Sequence, residues 1–371
     1  MIVLNTKNYT LLLFVLLVNT VCFGQRFPVQ YPKADYLQPE KFIFDEHIDS
    51  SKVKSLTKLT AKYRNPKVLD TFYIEYFNTK GKVEKKISFS SNRRYNITRN
   101  FYKNEQLTEG TWYNLNTGTR TQLLYSYDND GKLIHFSRKE VFKEKSTNFE
   151  DYSSELLYKN NRIIKNTTTI KNSALAGKSE QTFKYNDTLL VETIRYSEKT
   201  QIKTRSLYFY DEMNRQKQQQ AFMESLYYKE PHQTADRYFY YNSEDLLVKD
   251  SAVFYDDKLT KVTEFRYDAT NRLTWMKEHI TKKGKENTLE SSFIYENDRL
   301  VAIKSILLKN LAYVYWRIPI CNKPAKESLG KPIKADILMT YDAHGSRIKT
   351  EYTLENYPNC YTRKNHIEYR D

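Results

Sequence analysis

Glycine is scarce in this chain, nine residues in 371, and the clustered glycines from which nucleotide-binding folds build a phosphate-cradling loop are not present. Histidine is scarce too. The six lie at 47, 135, 232, 279, 344 and 366, none with a second His or a Cys at the spacing of a zinc site. There is no His-Glu-x-x-His helix and no Gly-x-Ser-x-Gly nucleophile elbow. Adjacent carboxylates such as Asp256-Asp257 and Glu244-Asp245 say little, because hydrolytic pairs face each other across a cleft and come from distant positions. Asp128-Asn-Asp130-Gly131 has the start of a calcium loop without its bidentate Glu and reads as a turn. No catalytic residue, no cofactor-binding residue and no metal ligand is therefore assigned.

Long apolar runs are also missing, with one exception. Leu11 to Val18 is an eight-residue apolar run behind Lys7, followed by the small-residue site Cys22-Phe23-Gly24. This pattern predicts a secretory signal peptide over residues 1–24, cleaved near Gly24. The run is too short to cross a bilayer core of about 30 Å as a helix, and no later stretch reaches the roughly 18 apolar residues of a transmembrane helix. Lipid attachment at Cys22 would require a small residue before it, where Val21 stands. The expected location is periplasmic or extracellular.

Removing the leader takes away one lysine, so the net charge of +15 falls to +14. Such an excess fits nucleic acid, an anionic membrane or an acidic polymer, and export makes nucleic acid a poor partner. The lysines are spread through the chain rather than clustered, as on a solvated face or along protected sheet edges. Of three cysteines, Cys321 and Cys360 survive maturation. In an exported chain they are a disulfide candidate closing a loop of about 40 residues, with two free thiols as the alternative.

What the chain has in abundance is tyrosine, 32 residues, and the tyrosines mark a repeat. Tyr125-Ser-Tyr127-Asp-Asn-Asp-Gly131-Lys-Leu133 shows the plan: alternating aromatics, a polar turn, then an apolar residue opening a new run. The anchors are Phe77, Tyr102, Tyr127, Tyr158, Tyr185, Tyr210, Tyr241, Tyr267, Tyr295 and Tyr341. Their spacing runs from 25 to 31 residues except for 46 before the last. Each step suits two strands and a turn, and the alternation in Phe265-Arg-Tyr267 or Phe293-Ile-Tyr295 is that of a half-buried strand. Gly81, Gly131 and Asn271 stand where a left-handed residue is needed. The fold class is all-β, a repeat-built antiparallel hairpin meander forming a long curved or spiral sheet; periodicity leaves open whether it closes, spirals or splits.

These residues resemble the YD repeat of bacterial Rhs and teneurin-like proteins, over roughly residues 70 to 371. Tyr-Asp is kept at 127, 210, 267 and 341, and the turn glycine at 81, 131 and 345. The resemblance implies a non-catalytic shell-like or curved sheet; in that family any activity sits in an appended domain, and none follows the repeats here.

Outside the repeat, residues 25–52, with Pro28, Pro32 and Pro39, read as an N-terminal arm or cap, and 53–371 as the hairpin repeats. An irregular insertion at about 301–338 contains Trp316, Cys321 and Pro324. The last strand, Ile367-Glu-Tyr369, carries an anchor without its turn and is expected to be an exposed or shared sheet edge. Most tyrosines are assigned to packing, whereas Trp112, Trp275 and Trp316 lie off the anchor positions and are the candidates for a binding surface.

The resulting functional reading is an exported, non-catalytic binding or structural module at the cell envelope, with envelope polysaccharide or a protein as partner. The alternative is a hydrolase with its site in the 301–338 insertion. An outer-membrane β-barrel would also use alternating strands. Lysine and arginine on both faces, as in Phe183-Lys-Tyr185 and Arg195, and a mean hydropathy of −0.76 make a lipid-facing band hard to draw.

Overall fold

The computed structural model describes residues 52–369 apart from 63–64, 91–92, 142–147, 172–175, 226–227, 309–332 and 355–356. The described residues form twenty-two strands and no helix. In chain order β1 is Val53–Lys62, β2 Asn65–Phe77, β3 Val83–Ser90, β4 Arg93–Lys103, β5 Gln106–Asn114, β6 Arg120–Tyr127 and β7 Leu133–Val141. Then follow β8 Asn148–Lys159, β9 Arg162–Lys171, β10 Gly177–Asn186, β11 Leu189–Ser197, β12 Ile202–Tyr210, β13 Gln216–Ser225 and β14 Tyr228–Tyr241. The remainder are β15 Leu247–Phe254, β16 Leu259–Tyr267, β17 Leu273–Lys282, β18 Lys285–Glu296, β19 Arg299–Leu308, β20 Ile333–Tyr341, β21 Arg347–Leu354 and β22 Tyr357–Tyr369.

Each strand pairs antiparallel with the next. The last strand, β22, returns to pair with β1 from Val53↔Tyr369 to Thr60↔Arg363. The sheet therefore closes into an up-and-down barrel, and the expectation that the last strand is a sheet edge is corrected: β22 pairs with β21 from Tyr357 to Lys364 and with β1 from Arg363 to Tyr369, so that Ile367-Glu-Tyr369 lies against β1. The reason lies in Tyr369 and Val53. Every anchor sits beside a bulge, as where Tyr102 opposes Leu107 but Phe101 opposes Glu109. Tyr369 opposes Val53 with a register shift before Ser55. The first and last strands, β1 and β22, thus meet as an eleventh anchor hairpin would, without a turn between them.

The bulges also set the tilt. Tyr76, one residue before its anchor, opposes Lys85, and Lys85 opposes Arg99, three residues before the next anchor. This two-residue step recurs at each hairpin as far as β20, then becomes four at β20–β22 and zero at the seam. The shear therefore equals the strand number, which corresponds to a tilt of about 36°. For a circular section, strands about 4.8 Å apart then give a backbone diameter of about 40 Å.

Side chains alternate between two unlike faces. The anchor face carries Leu107, Phe136, Phe239, Leu247, Phe265, Leu273, Met276, Phe293, Ile303 and Ile337, all buried. On a curved single-layer sheet, side chains converge on the concave side and splay on the convex side, so the more buried anchor face is the concave one. Its burial comes from neighbours along and across the strands. Several polar groups on it are matched: Arg237 holds Asp250 at 2.6 Å, Lys261 holds Glu278 at 2.7 Å, and the Ser291 and Ser305 hydroxyls meet at 2.8 Å, while the side-chain oxygens of Asn96, Thr121 and Gln216 are buried there without a partner among the described residues. The convex face mixes exposed apolar side chains such as Phe101 and Leu157 with charged ones, several of them ion-paired, as in Lys203–Glu224 at 3.0 Å and Arg205–Glu192 at 2.5 Å.

Candidate functional site

The anchor turns explain why the repeat looks as it does. In the longer turns the residue after the anchor is Asp or Asn, and its side-chain oxygen accepts two backbone amides: Asp268 Oδ1 takes those of Thr270 and Arg272 at 2.9 and 3.0 Å. Asp128, Asp211, Asn78 and Asn242 do the same. The Arg272 amide, with the Thr270 and Arg272 side chains, holds the Asp268 carboxyl below its usual range against partial desolvation. Gly81, Gly131 and Asn271 have φ of 73°, 80° and 63°, as expected from the sequence. The tighter turns instead place both central residues in the left-handed region, as at Asn160 and Asn161, the geometry of a two-residue hairpin that follows sheet twist.

Successive hairpins are then tied together at this rim. The hydroxyl of Tyr102 donates to the Val83 carbonyl, Tyr127 to Leu107, Tyr158 to Leu133, Tyr210 to Leu190, Tyr241 to Gln216, Tyr267 to Leu247 and Tyr341 to Leu300, at 2.8–3.0 Å. The cation ending one turn lies over the next anchor ring: Lys82 over Tyr102, Arg162 over Tyr185, Arg215 over Tyr241, Arg272 over Tyr295 and Arg299 over Tyr341, with 4.9–5.8 Å to the ring centre. Burial raises the phenols of Tyr210 and Tyr241 to about 12. These tyrosines are structural ties.

The other groups with chemical potential are dispersed. His232 meets Asp256 at 2.6 Å, His279 meets Thr288 at 3.1 Å, and the His344 ring lies 4.2 Å from that of Tyr369. These pairs belong to different hairpins, and no three His, Cys, Asp or Glu side chains gather as metal ligands among the described residues. Asp257 pairs with Lys282, and Asp245 with Arg215. Asp236 on the convex face is buried and accepts from Tyr255, Gln233 and Gln218.

The tryptophans do not converge. Trp112 on β5 opposes Thr98 and the buried Thr121, which places it on the concave face. Trp275 on β17 is on the convex face, with Arg266 4.3 Å above its ring and its indole N–H donating to Glu290 at 2.8 Å. Trp316 and Cys321 lie outside the described residues; Cys360 is in β22. Of the 301–338 insertion, 301–308 and 333–338 are strand, and the rest lies outside the described residues.

A hollow of about 250 Å³ opens across β6–β9, lined by Gln122, Leu124, Ser137, Arg138, Lys139, Tyr152, Ser153 and Lys171. It is floored by small side chains because register sets Leu124, Ser137 and Ser153 in one row. The neighbouring row contains Lys85, Arg99, Thr111, Gln122 and Lys139 in direct succession. Neither row was legible as a cluster in the sequence. The two-residue step at each hairpin brings together lysines that occupy different positions of successive repeats.

Both faces carry charges in mid-strand, Arg237, Asp250, Lys261 and Glu278 on one and Arg205, Glu192 and Glu180 on the other. A lysine or arginine facing lipid at mid-bilayer costs about 2–4 kcal/mol. No helix among the described residues is long and apolar enough to cross a membrane.

No family model matches the chain, and no curated protein matches it. Among solved structures it is similar to the Tc holotoxin pore of Photorhabdus luminescens, at 10% identity over 79% of this chain and 16% of that chain, with a TM-score of 0.31. The TcdB2-TccC3 structure aligns at 11% identity over 78% of this chain and 20% of that one, with a TM-score of 0.33. A porin-like protein from Bacteroides uniformis aligns at 7% identity over 85% of this chain and 98% of its own length, with a TM-score of 0.29. The chain spans a fifth or less of the toxin chains it matches. Likeness this distant assigns neither family nor activity, and what stands is an all-β barrel of repeated hairpins.

Proposed function

We propose that the protein is an exported, non-catalytic barrel that serves as a binding or structural module at the cell envelope, presenting its convex face to envelope polysaccharide. The observation that carries this reading is the use made of the chain. From Val53 to Tyr369 the described residues are strands and their connecting turns, and many of their polar groups tie neighbouring strands together. A rigid closed sheet whose outer surface mixes charged and apolar side chains suits recognition of an extended ligand. The signal-like leader supports export, and the resemblance to YD repeats supports a non-catalytic shell.

The test is binding of the mature protein to an array of envelope glycans and anionic vesicles, at low and physiological salt. Selective glycan binding that persists at physiological salt is the expected result. Binding that vanishes with salt would reduce the positive charge to a solubility feature, because exposed charges are then screened beyond about 8 Å.

A further inference from the structure

We infer that the convex face of β2–β9 carries a binding strip for an acidic polysaccharide chain, whose charged sugar seats in the hollow across β6–β9; this rests on the proposed function and names its ligand class. The strip is two adjacent register rows. One runs Tyr76, Lys85, Arg99, Thr111, Gln122, Lys139, Asp151, Lys171. The other runs Phe101, Glu109, Leu124, Ser137, Ser153, Thr169.

The positive charge on this strip is gathered and left open. Several other cations of the convex face are ion-paired, Lys165–Glu180, Lys203–Glu224 and Arg205–Glu192 across neighbouring strands and Lys349–Glu351 along β21. Among the described residues no carboxylate pairs with Lys85, Arg99, Lys139 or Lys171, and the last three are exposed. The carboxylates within the strip are Glu109, which accepts from Gln122 at 3.1 Å, and Asp151, which register sets between Lys139 and Lys171. Four cations against two carboxylates leave the strip positive.

Exposed apolar side chains accompany the cations: Tyr76 at 37%, Phe101 at 48% and Leu124 at 43% exposure. Lys85 leans over the Tyr76 ring at 5.4 Å. Flat apolar faces beside cations and hydroxyls match the two sides of an acidic sugar, whose C–H face stacks while its carboxylate and hydroxyls take hydrogen bonds from lysine, glutamine and serine. The hollow, about 250 Å³, has the size of one sugar ring. Seven strand spacings of about 4.8 Å make the strip about 34 Å long, room for several rings in a chain crossing the strands.

The shape favours a polymer over a lipid surface. Seven of twenty-two strand steps take the strip around about a third of the barrel, so a flat bilayer would touch only its middle. A flexible chain can follow the curve.

The experiment compares two variants of the mature protein, each losing three positive charges. One is Arg99→Gln, Lys139→Gln and Lys171→Gln in the strip; the other is Lys165→Gln, Lys203→Gln and Lys349→Gln among the ion pairs. The probes are polygalacturonate, neutral amylose and phosphatidylglycerol vesicles at physiological salt, with unfolding temperature as the folding control. The strip variant is expected to bind polygalacturonate about tenfold more weakly, the sum of three exposed charge contacts, while the control variant binds as the parent does. Equal weakening in both, or a preference for vesicles, would overturn the strip. A parent that binds amylose and not polygalacturonate would overturn the strip and leave the broader reading standing. Failure of the parent to bind any glycan would remove both.

Discussion

Tyr267 shows what one anchor contributes. Its ring covers the concave face beside Leu273, and its hydroxyl donates to the Leu247 carbonyl at 2.8 Å. Burial pushes its phenol well above the ordinary range. Tyr267→Phe keeps the ring and removes that bond, so stability should fall by about 1 kcal/mol, read as a lower denaturant midpoint with an unchanged slope. An unchanged midpoint would mean that the ring alone does the tying. Residue choices of this kind were legible in the sequence because their causes are local. The turn Asp or Asn answers to amides two and four residues on, and Gly131 answers to its own positive φ. The cation that ends a turn, such as Arg215 or Arg272, was not understood from sequence, because its ring partner lies in the following hairpin.

At the scale of elements, strands and turns could be read from alternation, but the neighbours of the last strand could not. Nothing within Tyr357–Tyr369 names β1 as a partner; the pairing depends on Val53 filling the place after an anchor turn, more than three hundred residues away in sequence. The convex rows were hidden for a related reason, since each hairpin shifts the register by two residues. The seam is also held by side chains: Glu368 accepts from Lys54 and Ser55, and the Tyr369 hydroxyl meets Asp342. A chain ending at residue 356 would expose the unpaired edges of β1 and β21, and exposed edges pair with other chains. Such a truncation should sediment as oligomers or aggregates at concentrations where the intact protein is monodisperse. A monomeric truncation would show that closure is dispensable for keeping the edges apart.

The whole molecule should respond to alkali as a unit. Burial raises the phenols of Tyr125, Tyr210 and Tyr241 to about 12 in the folded state, against about 10 when unfolded. A group with a raised folded pKa gives stability that is present below its unfolded pKa and lost as pH climbs toward the folded one. Stability should therefore drop between about pH 10 and 12, with tyrosinate absorbance and loss of near-ultraviolet circular dichroism rising together for the buried phenols. Tyrosinate appearing in full while the dichroism persists would show that the anchors are open to solvent.

Because β22 lies against β1, the linear order of the hairpins is a matter of genetics rather than geometry. Joining the chain after Tyr369 to Val53 by a short linker would supply the missing eleventh turn, and new termini could then be opened at Lys283-Gly284, where nothing lies near the glycine. A circularly permuted gene should yield the same ring of strands, and each hairpin in turn could serve as the first to leave the ribosome.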